Sequence, residues 1–279
     1  MLLFVTIVAR RRAYWSLFVV ACLCAAVYVP LFSQFVASPA APSFLVKAHA
    51  ATSMNLGGLR LSSHVAAALG IGLCVVYATF TLGFILFNFR KTASAEIFFY
   101  AFWVLSVGLE VLRLALAWAI GGGAPIPLQI LGAKALVFSR FVGYFSIFLS
   151  GLYAVGFRNE KLGTVIALMV AVAFGLAASI PVDTGSFTVM LELRPGYANV
   201  TQGLGLVAGL VTIANFLHAA RVASEAAYRA AALGCLLFLL GRHLLVAYWN
   251  PYLMGVGLIL LATGSALFVR RLHAYYLWQ

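Results

Sequence analysis

Apolar residues run almost unbroken through eight stretches of the chain, approximately 13–36, 65–89, 95–120, 133–157, 162–181, 201–219, 227–248 and 252–272. Each is close to the roughly 20 residues that a helix needs to cross a bilayer. Most begin or end at a charge, a proline or a glycine, as helix boundaries do. Backbone groups in lipid must bond within their own segment, so the stretches predict helices. The short alternating segments of a β-barrel are missing from them. The pattern predicts an all-α integral membrane protein, one eight-helix bundle over residues 1–279.

The connections differ in length. Two are long, 37–64 and 182–200. Residues 186–194 alternate, with Phe187, Val189, Leu191 and Leu193 on one side and Thr188, Met190, Glu192 and Arg194 on the other. That is a strand period, and it ends at the Pro195-Gly196 turn signal. In the first long connection, Phe44-Leu45-Val46 and Leu59-Arg60-Leu61 flank Gly57-Gly58. Short extracellular strands or a ribbon capping the bundle are expected in both.

Composition sharpens the class. The 279 residues are 65% hydrophobic and 9% charged, with a mean hydropathy of +1.07. Soluble domains carry about 25% charged residues, so the solvent of this chain is lipid and a separate soluble catalytic domain has no room. The net charge of +12 would suggest nucleic acid in a soluble protein. Here the basic residues mark cytoplasmic connections instead, and no nucleic-acid partner is expected. With the N-terminus inside, eleven fall on the cytoplasmic side: Arg10, Arg11, Arg12, Arg90, Lys91, Arg158, Lys161, Arg221, Arg229, Arg270 and Arg271. Four fall outside (Lys47, Arg60, Lys134 and Arg194), and Arg113, Arg140 and Arg242 lie within spans. This asymmetry predicts both termini in the cytoplasm of a bacterial cell, with the bundle in its plasma (inner) membrane. The first span is longer than a signal-peptide core of about 7–15 residues, so it reads as a retained helix.

Ionisable groups inside spans point to function in a membrane protein. They are Glu110, Arg113, Arg140, Arg242 and His243. At ~1.5 Å rise per residue, Arg113 lies ~12 Å, and Arg140 and Arg242 ~10 Å, below the outer ends of their helices. Three arginines from three helices thus share a level, with Glu110 one turn from Arg113 on the same face. Three arrangements satisfy them. Glu110, Asp183 and Glu192 neutralise the arginines, three against three. Alternatively, Glu110 takes Arg113 and leaves Arg140 and Arg242 to hold an anionic lipid or a small anion, whose phosphate or carboxylate suits guanidinium forks. Or the arginines snorkel to the headgroups.

Other candidates are weaker. Cys22, Cys24, Cys74 and Cys235 lie in apolar runs and read as small buried hydrophobes. His218 and His273 share a level without further support for haem, and no HExxH is present; no cofactor and no metal is expected. Ser106 is mid-membrane, with no histidine clearly at its depth for hydrolysis.

Spans two to eight form a seven-helix unit. Asn88-Phe89-Arg90-Lys91 ends its first helix, Phe98-Phe99-Tyr100 opens the next, and Glu110 and Arg113 follow. This unit resembles the membrane part of the bacterial seven-transmembrane receptors with diverse intracellular signalling modules. The resemblance covers about half of the chain and supplies no catalytic residue. Those receptors usually carry an extracellular domain and a cytoplasmic output domain, whereas this sequence stops at Gln279, soon after its last span. The resemblance implies a sensor or accessory subunit that signals through a partner membrane or cytoplasmic signalling protein. The alternatives are a transporter of an anionic solute or lipid, and an intramembrane transferase acting on lipid-linked substrates. Broken helices favour transport, an open cleft exposing Glu110 favours an enzyme, and a closed, charge-matched core favours a sensor or a structural role.

Overall fold

A computed structural model describes residues 2–37, 54–56, 59–61, 63–88, 94–157, 162–188, 190–248 and 250–277. The helices are α1 (Leu2–Ala37), α2 (Ser63–Asn88), α3 (Ala95–Gly108), α4 (Val111–Gly121), α5 (Ile126–Ala154), α6 (Leu162–Ser179), α7 (Ala198–Val222), α8 (Ala226–Ala247) and α9 (Pro251–Leu277). With α3 and α4 counted as one span, eight helices among the described residues are long and apolar enough to cross a membrane. The chain is a multi-pass, all-α membrane protein. Two helices start well before the hydropathy pattern does: the first at Leu2 rather than 13, and the fourth span at Ile126 rather than 133. Pro125 caps it and a proline sits in its first turn, where a missing N–H costs nothing.

Both long connections carry antiparallel ribbons. β1 (Met54–Leu56) pairs with β2 (Leu59–Leu61), and β3 (Val182–Phe187) pairs with β4 (Leu193–Pro195). The segment Phe44–Val46 lies outside the described residues. The alternating run 186–194 is not continuous strand: it straddles the turn of the second ribbon. Phe187 pairs with Leu193, and the chain reverses between them through Thr188 N–H to the Glu192 carbonyl (2.8 Å) and Leu191 N–H to the Thr188 carbonyl (3.0 Å). Alternation alone does not tell one strand from two arms joined by a tight turn.

The third span runs through the middle of the bundle. In its most apolar stretch 78% of the residues are buried, against 17% in the first span. α3 packs on α5, α2 and α1, while α8 and α9 form the most extensive pair. Mid-bundle, Tyr100 and Trp103 of α3 meet Phe238 of α8 and Phe268 of α9 with ring centroids 4.4–5.7 Å apart. The Tyr77 hydroxyl of α2 bonds both the Tyr100 hydroxyl (2.8 Å) and Ser265 Oγ (2.6 Å), so this apolar layer leaves neither phenol unpaired.

Lipid tails are as apolar as leucine, so helices associate through close packing. The α8–α9 seam shows this. A Cβ placed on Gly241 would sit 2.5 Å from the Leu261 nitrogen, and one on Gly264 would sit 2.6 Å from the Phe238 nitrogen. Gly203 of α7 has open space instead. Gly264→Val should lower stability by about 1–3 kcal/mol, read by thermal unfolding in micelles. Gly203→Val should leave the midpoint essentially unchanged, and equal effects of the two would contradict this packing.

Candidate functional site

The third span breaks at Leu109–Glu110. Glu110 N–H bonds the Val107 carbonyl (3.3 Å), Leu112 N–H that of Leu109 (3.0 Å) and Arg113 N–H that of Glu110 (3.0 Å). These are three-residue steps where an α-helix takes four, so the helix tightens for a turn between α3 and α4. Gly108 precedes the break, and a Cβ there would come within 2.8 Å of the Ala78 Cβ. α2 therefore lies close against the break, and Glu110 points into the bundle 1% exposed.

Three arginines converge on that carboxylate. Arg140 of α5 approaches it as a fork, Nε 3.2 Å from Oε1 and Nη2 3.1 Å from Oε2. Arg242 of α8 places Nη2 3.1 Å from Oε1. Arg113 of α4 brings Nε to 2.8 Å from Oε2, within ion-pairing distance but off the line of its N–H. A second carboxylate joins from the β3–β4 turn. Glu192 Oε2 lies 2.6 Å from Arg140 Nη2 and 3.2 Å from Arg113 Nη2. All five side chains are at most 18% exposed. Arg242 also sits 5.6 Å from the Tyr144 ring centroid, a cation–π contact. Its Nε has no hydrogen-bond partner.

The structure thus brings together Glu110, Arg113, Arg140, Arg242 and Glu192. Two expected members are corrected. His243 is exposed, with its ring edge-on to Tyr248 at 5.9 Å; adjacent helical residues point to different faces, so Arg242 turns in and His243 does not. Asp183 is also exposed, at the base of the hairpin, where it accepts from Gly185 N–H (2.9 Å) and Ser186 Oγ (2.6 Å). Those two bonds, with Arg194 nearby, hold its carboxyl below the usual range. The balance is therefore three cations against two anions. Nor do the arginines snorkel without partners.

Beside the cluster lies a cavity of about 10 Å³, touched by Gly70, Cys74, Glu110, Arg113, Met190 and Tyr248. It has room for one water. Leu191, fully buried, plugs in next to it, packed with Phe187 and Met190 among α1, α2 and α4 side chains such as Phe35, Ile71 and Leu114. The turn that delivers Leu191 and Glu192 holds Leu191 at φ 60°, a left-handed conformation that a leucine seldom adopts.

Sequence reasoning passed over Glu96, at the opposite end of the bundle. It is 1% exposed in the first turn of α3. Ser94 Oγ donates to its Oε2 (2.8 Å) and the Tyr276 hydroxyl to its Oε1 (2.7 Å). The signal was an acid just after a serine cap, which favours a helix start. Tyr144 had a signal too, four residues beyond Arg140 on the same face. Ser106 Oγ donates to the Trp103 carbonyl of its own helix (2.7 Å). Among the described residues no group of three His, Cys, Asp or Glu side chains is placed to hold a metal.

Comparison with family models, curated proteins and solved structures returns no match. The site is therefore read on its own chemistry. Ion pairs and a guanidinium fork in low dielectric bind helices to one another, and the pairs leave one positive charge over.

Two predictions follow from the charge balance. Removing a carboxylate should cost more than removing an arginine, because cations are in surplus. Glu110→Gln should lose about 3–5 kcal/mol, the cost of an uncompensated buried charge, and Arg242→Met clearly less; the reverse order in thermal unfolding would refute the balance. For Glu192, burial alone would raise the carboxyl's pKa, but Arg113 and Arg140 outweigh it and hold it low. Its stabilisation is present above the unfolded value of about 4.3 and is lost as pH falls through the lower folded value. Glu192→Gln should thus lose less of its own stability than the parent between near-neutral and strongly acid pH, measured as unfolding midpoints. Parallel pH curves would show that Glu192 is not held by the arginines.

Proposed function

We propose that this chain is a non-enzymatic membrane sensor or accessory subunit. In this reading it lies in the plasma membrane of a bacterium with both termini in the cytoplasm, and its ribbons and charged site face outward. The excess of basic residues on the connections opposite the ribbons supports that orientation. The observation that carries the reading is the gathering of α4, α5, α8 and the β3–β4 turn onto Glu110 and Glu192. An anion that changes the charge there acts on three spans at once, which is what a signal across a bundle needs. The resemblance of spans two to eight to seven-transmembrane receptors points the same way, with output through a partner protein.

One observation favours a transporter instead: the third span is broken next to the buried charge, as spans are in many transporters. Such folds repeat the break in their second half. Here α7 and α8 run unbroken over Ala198–Val222 and Ala226–Ala247, which favours the sensor. A transferase on lipid-linked substrates would need Glu110 open to the bilayer, and it is 1% exposed.

Native mass spectrometry of the gently extracted chain tests the reading. Part of the population should retain an anionic lipid or metabolite, and the Arg140→Ala, Arg242→Ala double variant should release it. No bound mass, with the double variant merely less stable, would mean that the arginines only hold helices together.

A further inference from the structure

The two carboxylates of the cluster are carried differently. Glu110 belongs to a span and is 1% exposed; Glu192 belongs to a turn, and its side chain is 18% exposed. Only Glu192 can leave without moving a helix. It also occupies the position that an anionic ligand would take, with one oxygen held between Arg140 Nη2 at 2.6 Å and Arg113 Nη2 at 3.2 Å. Guanidinium groups suit phosphate oxygens as well as carboxylates, and two of them already converge on this one oxygen.

We propose that Glu192 is an exchangeable resident carboxylate, and that the site's ligand is a phosphate group that replaces it on Arg113 and Arg140 and releases the 188–192 turn. This deepens the sensor reading and rests on it. Charge selects phosphate over a carboxylate. Arg113, Arg140 and Arg242 face Glu110 and Glu192 with one positive charge over. Replacing Glu192 with a phosphate monoester, which carries about −1.5 to −2 at neutral pH, brings three cations against nearly three negative charges. A ligand carboxylate would leave the surplus unchanged.

The turn suits exchange. Leu191 sits at φ 60°, so letting go of Glu192 relieves a strained backbone. Opposing this, Leu191 is fully buried and Phe187 and Met190 pack beside it. The latch is thus held by apolar burial and charge together, and a ligand weakens only the second. The parts that respond are those that share the apolar cluster of Leu191: α2 through Ile71, and α4 through Leu114.

Hydrogen–deuterium exchange of the wild-type chain in neutral-lipid nanodiscs tests this without any variant. Inorganic phosphate at constant ionic strength should speed exchange over residues 182–195 and slow it in α4. If nanodiscs containing phosphatidic acid do so and free phosphate does not, the proposal also holds and the source is a lipid headgroup. In parallel, Glu192→Gln should bind inorganic phosphate about tenfold more tightly than the parent, because the internal competitor is gone. Unchanged hairpin exchange with both phosphate sources overturns the proposal, whether or not Glu192→Gln folds. So does a folded Glu192→Gln with parental phosphate affinity. If those results come while wild type still carries an arginine-dependent anion in native mass spectrometry, the sensor reading stands and only the exchange fails. If no anion is carried and none binds the variant, both fall.

Discussion

A carboxylate buried in a membrane bundle must find cations, and Glu110 finds three. That constraint organises the end of the molecule that carries the ribbons. Arg113, Arg140 and Arg242 come from α4, α5 and α8, and among the described residues the one other acid paired with them is Glu192, on Arg113 and Arg140. Desolvating five charges is costly. Their mutual contacts offset that cost only if all five are in place, so the geometry of three helices and one turn is fixed jointly. A cluster of this kind gives specificity of arrangement more than it gives net stability.

Two local departures from regular structure make the cluster possible. The helix tightens for a turn after Gly108, close against α2, at the point where Glu110 and Arg113 are buried. The left-handed Leu191 turns the β3–β4 chain sharply enough to bring a loop carboxylate to the buried arginines. Backbone strain therefore sits beside the charge, at Leu191 next to Glu192. The rest of the bundle, from the Tyr100–Trp103 aromatic layer to the α8–α9 glycine seam, is conventional close packing and supplies the rigid frame.

Much of this is legible in the residues. Eight spans follow from hydropathy, and the shared level of the arginines follows from a fixed rise per residue. The Glu110–Arg113 contact follows from their spacing of three. What the residues do not reveal depends on non-local geometry. Asp183 and Glu192 lie in one connection and look equivalent as charge partners. Which one reaches the arginines is decided by where the chain reverses, and reversal at 188–192 puts Glu192 at the tip and Asp183 at the base. His243 fails for a simpler reason, since adjacent helical positions cannot share a face. The break before Glu110 has no proline to announce it, only Gly108 and the closeness of α2. The hidden Glu96 hides because an acid at a helix start reads as a solvated cap, and only the return of α9 brings Tyr276 over it.

The central claim is that the five charges act as one unit. A double-mutant cycle on Glu110→Gln and Arg140→Met, read by unfolding in the same micelle, addresses it most directly. The account predicts strong coupling, with the pair of changes costing less than the sum of the single changes by about 1 kcal/mol or more. Additive costs would contradict it, and would mean that Glu110 and Arg140 are neighbours that do not hold each other.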